Sequence, residues 1–160
     1  MSNLLIWSFS KASVTVLERL EDSEHKAYLV GGCLRDMMMV REPHDFDIAT
    51  SAEPETVMSI FSDFEVIPTG IKHGTVTVMV DGEPIEITTF RKDSDYSDGR
   101  RPDSITFTDK VEDDLSRRDF TINAMAFGVV GENVDPFGAK TDIKSRVIRT
   151  VGSAEERFGE

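Results

Sequence analysis

The chain has 160 residues, with 18 Lys and Arg against 30 Asp and Glu, a formal net charge of −12. That length makes one domain, two at most, and such acidity argues against coating nucleic acid by bulk charge while leaving room for a small, locally basic site. No apolar run approaches the roughly 18 to 20 residues of a membrane span, the N-terminal MSNLLIWSFSKAS makes a poor signal peptide, and a single cysteine, Cys33, excludes an internal disulfide or a multi-cysteine metal site and fits a reducing, cytoplasmic setting.

The elements read as mixed α and β. Ser10 suits an N-cap, with Phe9 and Val14 at the two positions of a hydrophobic staple, and Val14, Leu17 and Leu20 predict a helix over residues 11–22. Ala27–Val30 reads as a short strand entering Gly31-Gly32, and Cys33–Val40 as the helix that leaves it. Asp45–Ala49 alternates as a strand. Pro54 opens a helix carrying Val57, Met58 and Phe61 on one face, and Phe64–Ile67 returns as a strand. Thr75–Val80, the Asp81-Gly82 turn and Ile85–Phe90 form the clearest hairpin. Residues 91–104 are polar and read as a long loop. Glu112–Arg118 places acids before bases, as a helix dipole favours. Asp135–Gly138 is a turn and Val147–Val151 a last strand. Ser153 and Glu156 have capping-box spacing, so a further helix is expected to start at 153.

Four constellations carry chemistry, each with a plainer alternative. Gly31-Gly32 ahead of a helix lets a phosphate approach the backbone, with Arg35 one turn in; the alternative is a tight turn beside a surface arginine. Asp45 and Asp47 are two apart on a strand and share a face, an arrangement that repels itself unless a cation intervenes; the alternative is a solvated edge strand. Glu86 sits opposite Ile85 and Ile87 and would join the two aspartates only if its strand were their neighbour; otherwise it faces solvent. Arg117, Arg118, Asp119 and Asn123 can hold phosphate and sugar oxygens, or the arginines can simply cap helix carbonyls. His25, His44 and His73 lack metal-ligand spacing, His44 is expected to face away from Asp45, and His73 reads as a turn residue.

Taken in order, the strand-GGxxRD-helix, the DxD ten residues after the arginine, and the RRDFTINA segment resemble the class II tRNA nucleotidyltransferases, the CCA-adding enzymes, together with the related bacterial poly(A) polymerases. The resemblance runs from about Ala27 to the end of the chain. It implies a polymerase-β-like α+β head: a mixed, largely antiparallel sheet with helices mainly on one side. Residues 1–152 would be that catalytic head, and 153–160 the start of a helix leading into a following domain.

The resemblance also implies roles. Asp45, Asp47 and Glu86 would be the catalytic ligands of Mg²⁺. Gly31, Gly32 and Arg35 would hold the triphosphate, and Arg117, Arg118, Asp119 and Asn123 the nucleotide's phosphate and ribose. Residues 91–104, with Arg100 and Arg101, would be the flexible loop that accompanies full CCA addition. The GxKHGTV pattern within Pro68–Val76 is similar to the CCA-adding branch, whereas the poly(A) branch carries an arginine-rich stretch there. The implied activity is template-independent transfer of CMP and AMP from CTP and ATP to the 3′ end of tRNA, with pyrophosphate release. The alternatives are a poly(A) polymerase, a head that binds nucleotide without transferring it, and a small-molecule adenylyltransferase, which RRDFTINA argues against. Base selection and the main tRNA contacts would lie beyond residue 160, and a homodimer is admitted.

Overall fold

The computed structural model describes residues 9–43, 45–93 and 105–152. His44, Arg100, Arg101 and the expected helix over 153–160 lie outside these residues.

Helix α1 (Lys11–Asp22) begins as its sequence predicts. The Ser10 side chain accepts the Ser13 amide at 3.0 Å, and Phe9 and Val14 pack into the core around Val16, Leu17 and Leu20. Strand β1 (Ala27–Val30) leads through Gly31 into α2 (Gly32–Met38), followed by β2 (Phe46–Thr50), α3 (Pro54–Ile60), β3 (Glu65–Gly70), a 3₁₀ turn (Ile71–His73), β4 (Thr75–Val80) and β5 (Glu83–Thr89). Then come β6 (Arg91–Asp93), β7 (Ile105–Phe107), α4 (Val111–Ser116), a second 3₁₀ turn (Thr121–Asn123), β8 (Ala126–Phe127), β9 (Asn133–Val134) and α5 (Ala139–Ser145).

The main sheet has seven strands in the order β3-β4-β5-β2-β1-β8-β9. Only the β2–β5 pair is parallel; the others are antiparallel. This is the mixed α+β sheet expected. One face carries Ile48, Val76, Val78, Ile85 and Ile87 against Leu17 and Leu20 of α1, Leu34 of α2 and Val57 of α3. Each such aliphatic side chain contributes about 1.5–3 kcal/mol on burial. The opposite face is covered over a smaller area, where Val111 and Leu115 of α4 pack on Tyr28, Val30, Ala49 and Phe90. Helices therefore lie mainly on one side, and the open part of the other face is left for a site.

Three expectations need correction, and one helix was not foreseen. Residues 91–104 are not loop throughout, because Arg91–Asp93 pairs with Ile105–Phe107 in a separate two-stranded ribbon. The strand expected over Val147–Val151 does not form. Its backbone instead meets the Asp119–Thr121 turn, with an isolated bridge between Phe120 and Thr150 and hydrogen bonds from the Thr121 amide to the Arg149 carbonyl and from the Val151 amide to the Asp119 carbonyl. Helix α2 stops at Met38, and Val40 adopts φ +54 with 95% exposure. Finally, the Asp135–Gly138 turn opens a helix that composition did not reveal: the Asp135 carboxylate accepts the amides of Ala139 at 2.6 Å and Lys140 at 3.1 Å, capping α5.

Candidate functional site

The sheet register brings Asp47 and Glu86 together on two neighbouring interior strands. Asp47 pairs across β1 with Val30, the residue before Gly31, and across β5 with Glu86. The parallel β2–β5 pairing makes the latter inevitable: once Phe46 and Ile48 point into the core beside Ile85 and Ile87, the intervening Asp47 and Glu86 stand side by side on the other face. Burial first, and the adjacent Glu86 carboxylate second, push the Asp47 carboxyl up to about 6, while Arg118 pulls it down and Asp45 adds to the rise.

Asp45 lies just before β2 and is exposed, as is Glu86. Among the described residues, no three His, Cys, Asp or Glu side chains stand close enough to form a ready-made metal cage. The donor set still fits Mg²⁺. That ion takes oxygen ligands and commonly uses one or two carboxylates plus substrate phosphates. Two neighbouring acids, one of them raised by the other, are what a cation would relieve.

A cleft of about 460 Å³ opens beside Asp47, lined by Gly31, Gly32, Arg35, Arg117, Arg118, Asp119 and Asn123. Every nucleotide-contact candidate from the sequence thus meets in one cavity with Asp47. Gly31 has φ +77, and a Cβ there would sit 3.6 Å from Arg118 Nη1 and 3.9 Å from Asp47 Oδ2. A side chain at this position would be strained and would intrude between the arginine and the carboxylate. Arg35 folds back over Gly32, donates through Nη1 to Asn123 Oδ1 at 3.0 Å, and bonds Asp36 through Nε and Nη2. That bond ties α2 to the second 3₁₀ turn and closes one wall of the cleft. Asp119 is exposed, and its Oδ1 accepts the Phe120 amide at 2.8 Å.

One residue escaped the sequence reading. Asp114 is fully buried and accepts from both cleft arginines: Arg117 Nε reaches Oδ1 at 3.3 Å and Arg118 Nη2 reaches Oδ2 at 3.2 Å. The signal lay in the i, i+3 and i, i+4 spacing within Asp114-Leu115-Ser116-Arg117-Arg118. Read only for its dipole, the segment offered the arginines as caps of helix carbonyls; the structure pairs them with this carboxylate instead.

A second, larger cleft of about 1250 Å³ adjoins the first through Arg35. It has an apolar lining, including Met37, Ile143 and Ile148, among Arg41, Lys140, Lys144 and Arg146. Among the described residues, no helix is long and apolar enough to cross a membrane.

Comparison with known proteins agrees with this geometry. The profile of the family described as the poly A polymerase head domain matches residues 27–149. The CCA-adding enzyme of Lactobacillus delbrueckii subsp. bulgaricus is 51% identical over 160 residues, which is 100% of this chain and 40% of that protein. The CCA-adding enzyme of Oceanobacillus iheyensis is 49% identical over 152 residues, covering 95% of this chain and 37% of that protein. Among solved structures, the Bacillus stearothermophilus CCA-adding enzyme in complex with CTP superposes with a TM-score of 0.82 at 44% identity, covering 93% of this chain and 35% of that one. The chain thus spans about 40% of the length of the curated relatives it matches. With this profile across its sheet and its cleft, the chain belongs to the poly(A) polymerase head-domain family.

Proposed function

We propose that the chain is the catalytic head of a CCA-adding tRNA nucleotidyltransferase, transferring CMP and AMP from CTP and ATP to a tRNA 3′ end. The observation that carries this reading is the Asp47–Glu86 register beside a cleft walled by Arg35, Arg117 and Arg118. Acids beside cations are what a triphosphate and a metal require together. The likeness to a CCA-adding enzyme in complex with CTP adds support, and the single buried thiol suits the cytoplasm.

The chemistry is a displacement at phosphorus. The primer's 3′-oxygen forms a bond to the α-phosphorus, the bond to the β-phosphate oxygen breaks, pyrophosphate leaves, and the hydroxyl proton is released. Arg118 and Arg35 would take the charge of the triphosphate, and the open backbone at Gly31 and Gly32 would let it approach. Asp119 and Asn123 would hold the ribose. Asp45, Asp47 and Glu86 would hold Mg²⁺ and keep it beside the α-phosphate. When bound, that ion supplies Lewis-acid stabilisation of the charge on the reacting oxygens and makes the 3′-hydroxyl easier to ionise. The chain's own work is to fix the acids by register and the arginines by packing, so that neither must be ordered during reaction.

Residues 1–152 would form this head, the segment 91–104 with Arg100 and Arg101 would serve the role of the flexible loop that accompanies full CCA addition, and 153–160 would lead into a following domain. Base selection would lie beyond residue 160. The test offers tRNA lacking its 3′ end, Mg²⁺ and labelled CTP or ATP to the full-length protein. Ordered C, C, A incorporation is expected. Long A tails would indicate a poly(A) polymerase, and nucleotide binding without transfer a binding head; either contradicts the proposal. The 160-residue chain alone is expected to add nucleotides poorly and without base selectivity.

A further inference from the structure

We infer that Asp114 is a positioning residue for nucleotide binding, acting through Arg118 and Arg117, and that it ties their placement to the β6–β7 ribbon. The inference rests on the proposed function only in naming CTP as the ligand. Asp114 touches no part of the cleft itself; it stands behind the arginines that line it.

Its carboxylate has no solvent exposure, and each oxygen accepts from a different arginine. Oδ1 takes Arg117 Nε at 3.3 Å and also the backbone amide of Arg91 at 3.2 Å. Oδ2 takes Arg118 Nη2 at 3.2 Å. With Nη2 held from behind, Arg118 Nη1 reaches the Gly31 turn, which Asp47 Oδ2 also borders. Arg118 Nε is buried with no hydrogen-bond partner among the described residues, which leaves the Nη2–Asp114 bond to anchor this guanidinium from behind. A guanidinium anchored at one nitrogen can present another to a phosphate with less rotamer freedom left to lose.

The Arg91 contact has a separate consequence. Arg91 opens β6, and the next acid in the same helix, Asp113, bonds Thr108 Oγ1 at 2.9 Å and lies 3.6 Å from Lys92 Nζ. One turn of α4 therefore holds β6 and the residue that follows β7 with one carboxylate and the cleft arginines with the next. A buried ion network of this kind is a poor source of stability relative to apolar packing, but it fixes geometry closely. Its place at the back of a cationic cleft is what assigns it to positioning.

The experiment uses the full-length protein and measures CTP and cytidine affinity by calorimetry, without primer, in wild type, Asp114→Asn, Arg118→Ala and the double variant. Asp114→Asn is expected to weaken CTP about ten-fold, since it loosens a hydrogen bond to a charged group. Cytidine, which has no phosphates, is expected to bind unchanged. In the Arg118→Ala background the Asp114→Asn change is expected to have little further effect. Unchanged CTP affinity, an equal loss for cytidine, or simple additivity of the two changes would overturn the inference. If Asp114→Asn does not fold, the wild type carries the test through nitrogen-15 NMR of the Arg118 guanidinium. Slow rotation about its Nε–Cζ bond before CTP is added supports the role, and free rotation contradicts it. Because these readouts need no transfer, a protein that binds CTP but adds nothing to tRNA would defeat the proposed function without touching this one.

Discussion

The Asp47 carboxyl, raised to about 6 by burial and then by Glu86, binds its proton more tightly in the folded chain than in the unfolded one. Its contribution to folding is therefore complete below the ordinary carboxylate range and is lost as pH rises through about 6. Near neutrality the ionised Asp47 carboxylate therefore works against the fold. Metal-free Asp47→Asn is expected to gain on the order of 1–2 kcal/mol at pH 7, after allowance for its partial exposure to solvent. The check is the urea midpoint: a lower midpoint than wild type at pH 7 would contradict the pairing. Cys33 behaves oppositely in accessibility. Burial is the main cause that pushes its thiol up to about 12, and Sγ donates to the Val30 carbonyl at 3.1 Å. At pH 8 only about 10⁻⁴ of it would be thiolate, so a thiol reagent is expected to label the native chain far more slowly than the urea-unfolded one. Equal rates would refute the burial. At this scale type and spacing offered Asp47, Arg35, Arg118 and Asn123 only as candidates beside plainer readings; the family resemblance singled them out, and the fold gathers them at one cleft. The sequence was silent on Asp114, whose importance comes from being hidden behind two arginines.

Helix α1 and the β4–β5 hairpin were legible because their information is local. Ser10 caps within one turn, and Asp81-Gly82 closes two strands of adjacent sequence. Ser10→Ala is expected to cost about 1 kcal/mol, read in the same urea titration; no loss would mean the cap is redundant. The ribbon of β6 and β7 was not legible. Its strands are three residues each, their sequence is largely polar, and what seats them is distant: Phe107 lies on Gly74, and Arg91 donates through Nη1 to the His73 carbonyl at 3.1 Å. Gly74 has φ +82, and a Cβ there would lie 2.9 Å from Phe107 Cε1. Gly74→Ala is therefore expected to destabilise by about 1–3 kcal/mol, from backbone strain together with displacement of the ring. Faster amide exchange should accompany it over residues 91–93 and 105–107; unchanged exchange there would show that the ribbon is seated by something else. The same distance argument explains Val147–Val151. Its residues suit a strand, but Arg146 at φ +57 turns the chain toward the Asp119 turn, a partner that no local pattern reveals.

For the whole molecule, the net charge of −12 describes the total and not the site. Arg35, Arg117 and Arg118 gather in one cleft, and Arg41, Lys140, Lys144 and Arg146 line the next. A locally basic face thus exists within an acidic chain. The strand order was not readable from periodicity, and within it the parallel β2–β5 pairing brings Asp47 and Glu86 together although they are 39 positions apart in sequence. That juxtaposition is the centre of the account, and transfer by the full-length protein tests it most directly. With Mg²⁺, CTP and a tRNA lacking its 3′ end, Asp47→Ala and Glu86→Ala are each expected to reduce nucleotide addition by about a thousand-fold or more while leaving the circular dichroism spectrum unchanged. Near-normal addition by either folded variant would contradict the assignment of this carboxylate pair to the catalytic centre.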